Sequence, residues 1–129
     1  IYANVRYKIF IEYDVDTTLA KPIYLNVAYL ENILSSFIEQ SCMDIIKKEL
    51  KKGKIQKQID VNVSVSKSNI SLVVKNNGFE VKNIYNLYLS DVDNKAILEA
   101  KNLANMLNAK FEIITLENEG MQYSLNIKI

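Results

Sequence analysis

The sequence predicts an α/β protein, a two-layer sandwich in which a mixed, mostly antiparallel sheet of five strands is covered on one face by two or three helices. Two observations support this. Five segments alternate apolar and polar residues with a period of two, which is typical of strands that bury one face. Two longer segments repeat apolar residues every three or four positions, which is typical of helices that pack on one side. With 129 residues the chain is long enough for a single domain, and we assign residues 1–129 to it.

The first strand and the long helix come first along the chain. Alternation over 5–13 predicts the strand, and the polar stretch 14–21 before Pro22 predicts a turn, because the residue before a proline avoids helical angles. A helix is predicted over about 23–52, and Gly53 is expected to end it in the left-handed conformation. Its repeating positions share one face and are Leu30, Ile33, Leu34, Phe37, Ser41, Ile45 and Ile46.

The remaining elements are two hairpins with a helix between them. Segments 59–65 and 70–74 both alternate, which predicts an antiparallel hairpin that ends at Asn76-Asn77-Gly78. Segment 79–94 is predicted as a loop with a short helical piece at 84–89. A second helix follows over 97–107, capped by Asp93 or Asn94. Segments 111–115 and 121–129 form the closing hairpin, joined by a turn at 117–120.

The composition of the chain argues against several classes of function. A net charge of +1 gives no overall field that favours nucleic acid or an anionic membrane, and we expect neither as a partner. The single cysteine, Cys42, excludes an internal disulfide and fits a reducing compartment, so we expect a cytoplasmic protein. The absence of histidine removes the commonest general base and metal ligand from the chain. Because the chain starts without methionine, we expect it to be a fragment of a longer protein, and its start has no signal peptide pattern.

Six lysines cluster at the end of the long helix and in the residues that follow it. They have two interpretations, a solvated helix end whose charges complement the exposed carbonyls or a phosphate-binding patch, and we favour the first. They are Lys47, Lys48, Lys51, Lys52, Lys54 and Lys57.

The order of elements, with Asn-Gly after the first hairpin and Gly120 in the second, resembles the GHKL ATPase superfamily. Within it the chain is most similar to the C-terminal catalytic and ATP-binding domain of bacterial sensor histidine kinases, a fold called histidine-kinase ATPase-like. The N box of that family matches the apolar frame of residues 30–43. Its two asparagine positions hold Ser36 and Gln40 here, and its lysine position holds Met43. The second asparagine holds Mg²⁺ in the family, and the longer Gln40 fits the strict octahedral geometry of magnesium poorly.

The glycine-containing boxes of the family are also altered. The G1 box matches residues 74–81, where Gly78 is kept, the adenine-binding aspartate is Asn76, and the second glycine is Glu80. A neutral amide loses the charge-assisted bond to adenine, and Glu80 places a side chain where the family has bare backbone. The G2 box falls at 94–97, where Asn94 and Ala96 replace both glycines. The segment between the two boxes is too short for the nucleotide lid of the family.

The resemblance therefore implies a degenerate domain, a pseudokinase of the HATPase type that neither binds nor hydrolyses ATP. We expect it to act as a docking or phosphorelay module in two-component signal transduction. Its partners would be a response regulator or a partner kinase, with a dimerisation and histidine domain outside this sequence. No catalytic residue, cofactor or metal ligand is predicted.

Two alternatives remain open. In the first, the chain is a divergent but active ATP-binding domain, an ATP-dependent protein-histidine kinase in which Gln40, Asn76 and Gly78 contact ATP and Mg²⁺. In the second, it is an unrelated α/β adaptor with the same order of elements. Helices on both faces of the sheet would favour the adaptor.

Overall fold

The computed structural model describes residues 10–17, 27–65, 69–82 and 95–128. They form five strands and two helices, and the order along the chain is strand, helix, hairpin, helix, hairpin. The bounds are β1 Phe10–Thr17, α1 Val27–Lys52, β2 Gln58–Val65, β3 Asn69–Asn76, α2 Lys95–Met106, β4 Lys110–Leu116 and β5 Gly120–Lys128.

The strands form one sheet in the order β1-β2-β3-β5-β4. Strand β1 runs parallel to β2, whereas β2, β3, β5 and β4 are antiparallel to their neighbours. In the centre of the sheet Val61 lies opposite Val74, which lies opposite Tyr123. The predicted α/β class with a mainly antiparallel sheet is therefore confirmed, and both predicted hairpins are present.

Burial alternates along the central strands and defines the two faces of the sheet. In β3 Ile70, Leu72 and Val74 are buried, whereas Ser71 and Val73 between them are partly exposed. Strand β5 repeats the pattern. Helix α1 contacts β3, β5 and α2, and α2 contacts β4. The buried residues of both helices and of the sheet form one core cluster, so the two described helices cover the same face. This is not the arrangement that would favour an unrelated adaptor.

Phe37 of α1 lies near the centre of the core and is fully buried. Its ring centroid is 5.8 Å from that of Phe111 in β4 and 5.9 Å from that of Tyr123 in β5. These are distances at which aromatic pairs attract each other beyond the burial of their area. Phe37, which belongs to the apolar stripe predicted for α1, thus packs the helix against the second hairpin.

One boundary was wrong. The alternation predicted that the first strand ends at Tyr13, but 14–17 of the polar stretch also belong to β1 and pair in parallel register with 62–65 of β2. Asp14 and Asp16 are poor strand formers, but pairing with a neighbouring strand overrides this weak preference. Gly53 does have the expected left-handed conformation, with φ 83°. Residues 5–9, 23–26, 84–89 and 129 of the predicted elements, the predicted turn at Pro22, and the predicted cap Asp93 or Asn94 lie outside the described residues.

Neither described helix combines the length and the apolar character that crossing a membrane requires.

Candidate functional site

Two of the three residues predicted at a nucleotide site, Asn76 and Gly78, contact Asp44, and the third, Gln40, lies one helical turn before it. Gln40 is on the buried face of α1. Asn76 is the last residue of β3, and Gly78 lies in the turn that follows. The sequence did not identify Asp44 as a candidate. Its spacing of four from Gln40 on the apolar face of α1 was the available signal, because a carboxylate there must find buried partners.

The Asp44 carboxylate is buried and joins α1 to the two central strands. The Tyr123 hydroxyl donates a hydrogen bond to Asp44 Oδ2, and Asn76 Nδ2 donates to the same oxygen at 3.1 Å. Burial raises the pKa of Asp44 to about 6, and the hydrogen bonds from Tyr123 and Asn76 keep the pKa from rising further. Burial also raises the pKa of Tyr123, and the neighbouring carboxylate adds to the rise, so the phenol stays protonated and can donate.

Both ends of the Asn76 side-chain amide are hydrogen-bonded within the protein. Its Nδ2 donates to Asp44, and its Oδ1 accepts a 2.8 Å hydrogen bond from the backbone N–H of Gly78. A bond from an Asx side chain to the backbone two residues later is typical of tight turns. In the resembling family this position would face the adenine amino group, but here neither end of the amide is free.

Gly78 packs directly on the backbone of α1. A Cβ atom at this position would lie 2.5 Å from the carbonyl carbon of Asp44 and 2.6 Å from the nitrogen of Ile45. The next residue adds a hydrogen bond from Phe79 N–H to the Asp44 carbonyl oxygen at 2.8 Å. Residues 76–79 therefore lie against the helix with no space for a side chain, or for a ligand, between Gly78 and α1.

Gln40 and Ser41 have buried polar atoms without hydrogen-bond partners among the described residues. Within the described part of the chain, both ends of the Gln40 amide and Ser41 Oγ are buried without a hydrogen-bond partner. Gln40 is near enough to Asp44 to favour its charged form, although the two groups do not meet hydrogen-bond geometry. The side chain is 0% exposed, so a hydrated ion from solvent has no contact with it.

The neighbouring Cys42 is a packing residue. It is buried in the core cluster. Burial raises its pKa to about 11, and the charges of Glu39 and Asp44 contribute to the rise. The thiol stays protonated at neutral pH and is a poor nucleophile.

The segment after Gly78 is tied to the closing hairpin. Glu80 Oε1 accepts a hydrogen bond from Asn118 N–H at 2.6 Å, and Thr115 Oγ1 donates to the Val81 carbonyl at 2.5 Å. On the helix side, Lys48 Nζ donates to the Asn77 carbonyl at 3.1 Å. Glu80 thus holds the loop against the hairpin.

A cleft of about 720 Å³ opens beside this segment. Its walls are the C-terminal end of α1, the loop 78–82 and the turn between β4 and β5. We call it the hairpin cleft; among its lining residues are Lys48, Lys52, Phe79, Val81, Lys82 and Glu117.

No protein-family model matches this chain, and no curated protein matches it either. Among the described residues, no three or more cysteine, aspartate or glutamate side chains are grouped so that they could hold a metal ion. At Asp44 itself the structure shows a buried carboxylate that accepts two hydrogen bonds and whose pKa burial raises to about 6.

Proposed function

We propose that this chain is a degenerate domain of the histidine-kinase ATPase type that does not bind ATP and acts as a docking or phosphorelay module in bacterial two-component signalling. The observation that supports the loss of ATP binding is that the side-chain amide of Asn76 is hydrogen-bonded within the protein. Both ends of its amide are bonded to Asp44 and Gly78, and the turn that they form rests on the backbone of α1.

Binding adenine through Asn76 would have an energetic cost. The amide would have to leave either the buried Asp44 carboxylate or the Gly78 N–H without that partner. Each buried group left unsatisfied costs about 1–3 kcal/mol, more for a charged group. An intact apolar frame, together with an Asn76 amide that is hydrogen-bonded within the protein at both ends, supports a scaffold that is kept without its nucleotide.

The sheet order and the layer of helices on one face support the finer fold assignment. The positions of Gln40, Asn76 and Gly78 also support it. The family motifs place these three residues around one nucleotide, and here they lie on adjoining parts of α1, the end of β3 and the turn that follows. The proposed partners are a response regulator or a partner kinase, and the proposed location is the cytoplasm. A histidine that accepts phosphate would belong to a domain outside this sequence.

One observation favours the alternative, a divergent but active ATP-dependent protein-histidine kinase. The amide of Gln40 is buried without a hydrogen-bond partner among the described residues. If the structure opened to a nucleotide, Oε1 could bind Mg²⁺ and Nε2 could donate a hydrogen bond to the nucleotide. Gln40, Asn76 and Gly78 would then be the nucleotide contacts.

Calorimetric titration of the domain with a non-hydrolysable ATP analogue and Mg²⁺ distinguishes the degenerate domain from the active kinase. We expect no saturable heat up to millimolar analogue. Micromolar binding that is lost in Asn76→Ala and in Gln40→Ala, and kept in the exposed control Lys128→Ala, would overturn the proposal in favour of the active kinase. Circular dichroism on each variant establishes that a lost signal reflects the site and not unfolding.

A further inference from the structure

The hairpin cleft is a second candidate site. Its volume of about 720 Å³ is in the range of pockets that hold small ligands or a few peptide residues, roughly 300–1,000 Å³. Of the three nucleotide-site positions, Gly78 alone lines it. The cleft can therefore act independently of Gln40 and Asn76.

The walls of the cleft are fixed before any ligand arrives. The loop 78–82 is bound to α1 through Phe79 N–H on the Asp44 carbonyl, and the adjoining Asn77 carbonyl accepts from Lys48. The loop is bound to the hairpin through Glu80 and through the Val81 carbonyl. A wall held on both sides loses little conformational entropy on binding, which favours affinity.

Positive charge predominates in the cleft. Lys48, Lys52 and Lys82 line it, against Glu80 and Glu117. The Glu80 carboxylate accepts from a backbone N–H, which offsets part of its charge. Lys52 and Lys82 are exposed and make no ion pair within the described residues. Their ammonium groups are available to a ligand that carries carboxylates.

Phe79 and Val81 give the cleft an apolar part. Both are half-buried, and they alternate with Glu80 along the loop. The ammonium group of Lys51 lies 4.3 Å from the centroid of the Phe79 ring, a cation–π contact that holds the ring at the end of α1. An apolar side chain of a ligand would find a fixed aromatic surface beside the lysines.

We propose that the hairpin cleft binds a short acidic peptide segment of a partner protein, with one apolar side chain on Phe79 and Val81 and carboxylates at Lys52 and Lys82. The apolar residues give a peptide an advantage over inorganic phosphate, which offers nothing to them. This inference goes beyond the proposed signalling role and does not depend on the loss of ATP binding.

Fluorescence anisotropy with a fluorescein-labelled hexapeptide of glutamate, aspartate and one central leucine tests the proposal. We expect saturable binding to the wild-type domain that weakens as salt rises. The double variant K52E/K82E should bind roughly tenfold or more weakly, because two attractions become repulsions. K75E/K128E has the same change in net charge at exposed positions away from the cleft and should bind like the wild type.

Several outcomes would overturn the proposal. They are absence of saturable binding, equal loss in both double variants, equal binding of a peptide with serine in place of leucine, and displacement by a few millimolar inorganic phosphate. The first two exclude a specific site in the cleft, and the last two would make it an anion site only. A domain that binds neither ATP nor this peptide contradicts this inference alone, whereas one that binds both contradicts the loss of ATP binding alone.

Discussion

Asp44 is the residue at which the buried polar contacts of this protein meet. It receives hydrogen bonds from β3 and β5 while its own backbone carbonyl receives one from the turn after β3. Taking a carboxylate out of water disfavours its charge, and two donors on one oxygen only partly compensate. The side chain that fixes the geometry of the turn is therefore also a source of pH dependence.

We predict that the free energy of unfolding has a component from Asp44 that falls as pH rises from about 4 to about 6. The folded state holds the proton more tightly, since the pKa is about 6 there and 3.8 is the ordinary value. The stabilisation is fully present below the pKa that Asp44 has in the unfolded chain. It is lost as pH rises through the pKa that Asp44 has in the folded protein. Between pH 4.5 and 7 the loss is about 2 kcal/mol, obtained from the two pKa values at 1.36 kcal/mol per pKa unit.

Urea unfolding of the wild type and of Asp44→Asn at several pH values measures this component. Other carboxylates titrate in both proteins, so the difference between the two curves isolates Asp44. A difference that stays constant from pH 4.5 to 7 would show that Asp44 titrates normally.

At the same scale, the sequence could identify some site residues and not others. Gln40, Asn76 and Gly78 follow from motif positions, and a spacing of four marks Asp44 as a neighbour of Gln40 on the helix. Tyr123 could not be assigned. Its partner Asp44 is 79 residues away in the chain, and the alternation of β5 says which face Tyr123 occupies but not which side chain it meets.

At the scale of elements, α1 and the turn after β3 are joined through backbone contacts. Gly78 supplies the space for this approach, and Phe79 N–H supplies the hydrogen bond. The sequence predicted the helix, the two hairpins and the turn because their periodicity is local. It missed the last four residues of β1, which form a strand through pairing with β2 that local composition does not indicate.

We predict that Gly78→Ala destabilises the protein by about 3 kcal/mol, at the upper end of the usual cost of overpacking, because the new methyl would meet helix backbone that cannot move away easily. Gly53→Ala is the matched control. Its Cβ would meet nothing within 4 Å, so only the left-handed conformation is penalised, by about 1 kcal/mol. Urea unfolding gives both values, and hydrogen exchange at the Phe79 amide should accelerate in Gly78→Ala alone. Equal costs in the two variants would mean that the turn does not rest on α1.

At the scale of the whole molecule, one hydrophobic core connects both helices to the sheet. Apart from Ala96, the buried apolar side chains described on α1, α2 and β2 to β5 all belong to this one cluster, so the helices cannot lose their packing while these strands keep their buried face covered. A domain of this size with one core is expected to unfold in a single cooperative transition.

We predict that Phe37→Ala destabilises this transition as a whole, by about 3–5 kcal/mol, the usual cost of removing a buried aromatic ring. Phe37 is fully buried between α1 and the second hairpin, whereas Leu50, on the same helix, is 81% exposed. Leu50→Ala is therefore the control and should change stability by no more than about 0.5 kcal/mol. Urea unfolding should be followed by circular dichroism for the helices and by tyrosine fluorescence, since Tyr123 contacts the Phe37 ring and the chain has no tryptophan. Coincident transitions that shift together in Phe37→Ala would establish the single core. Separate transitions, or a cost in Phe37→Ala as small as that in Leu50→Ala, would show that α1 and the second hairpin are stabilised independently.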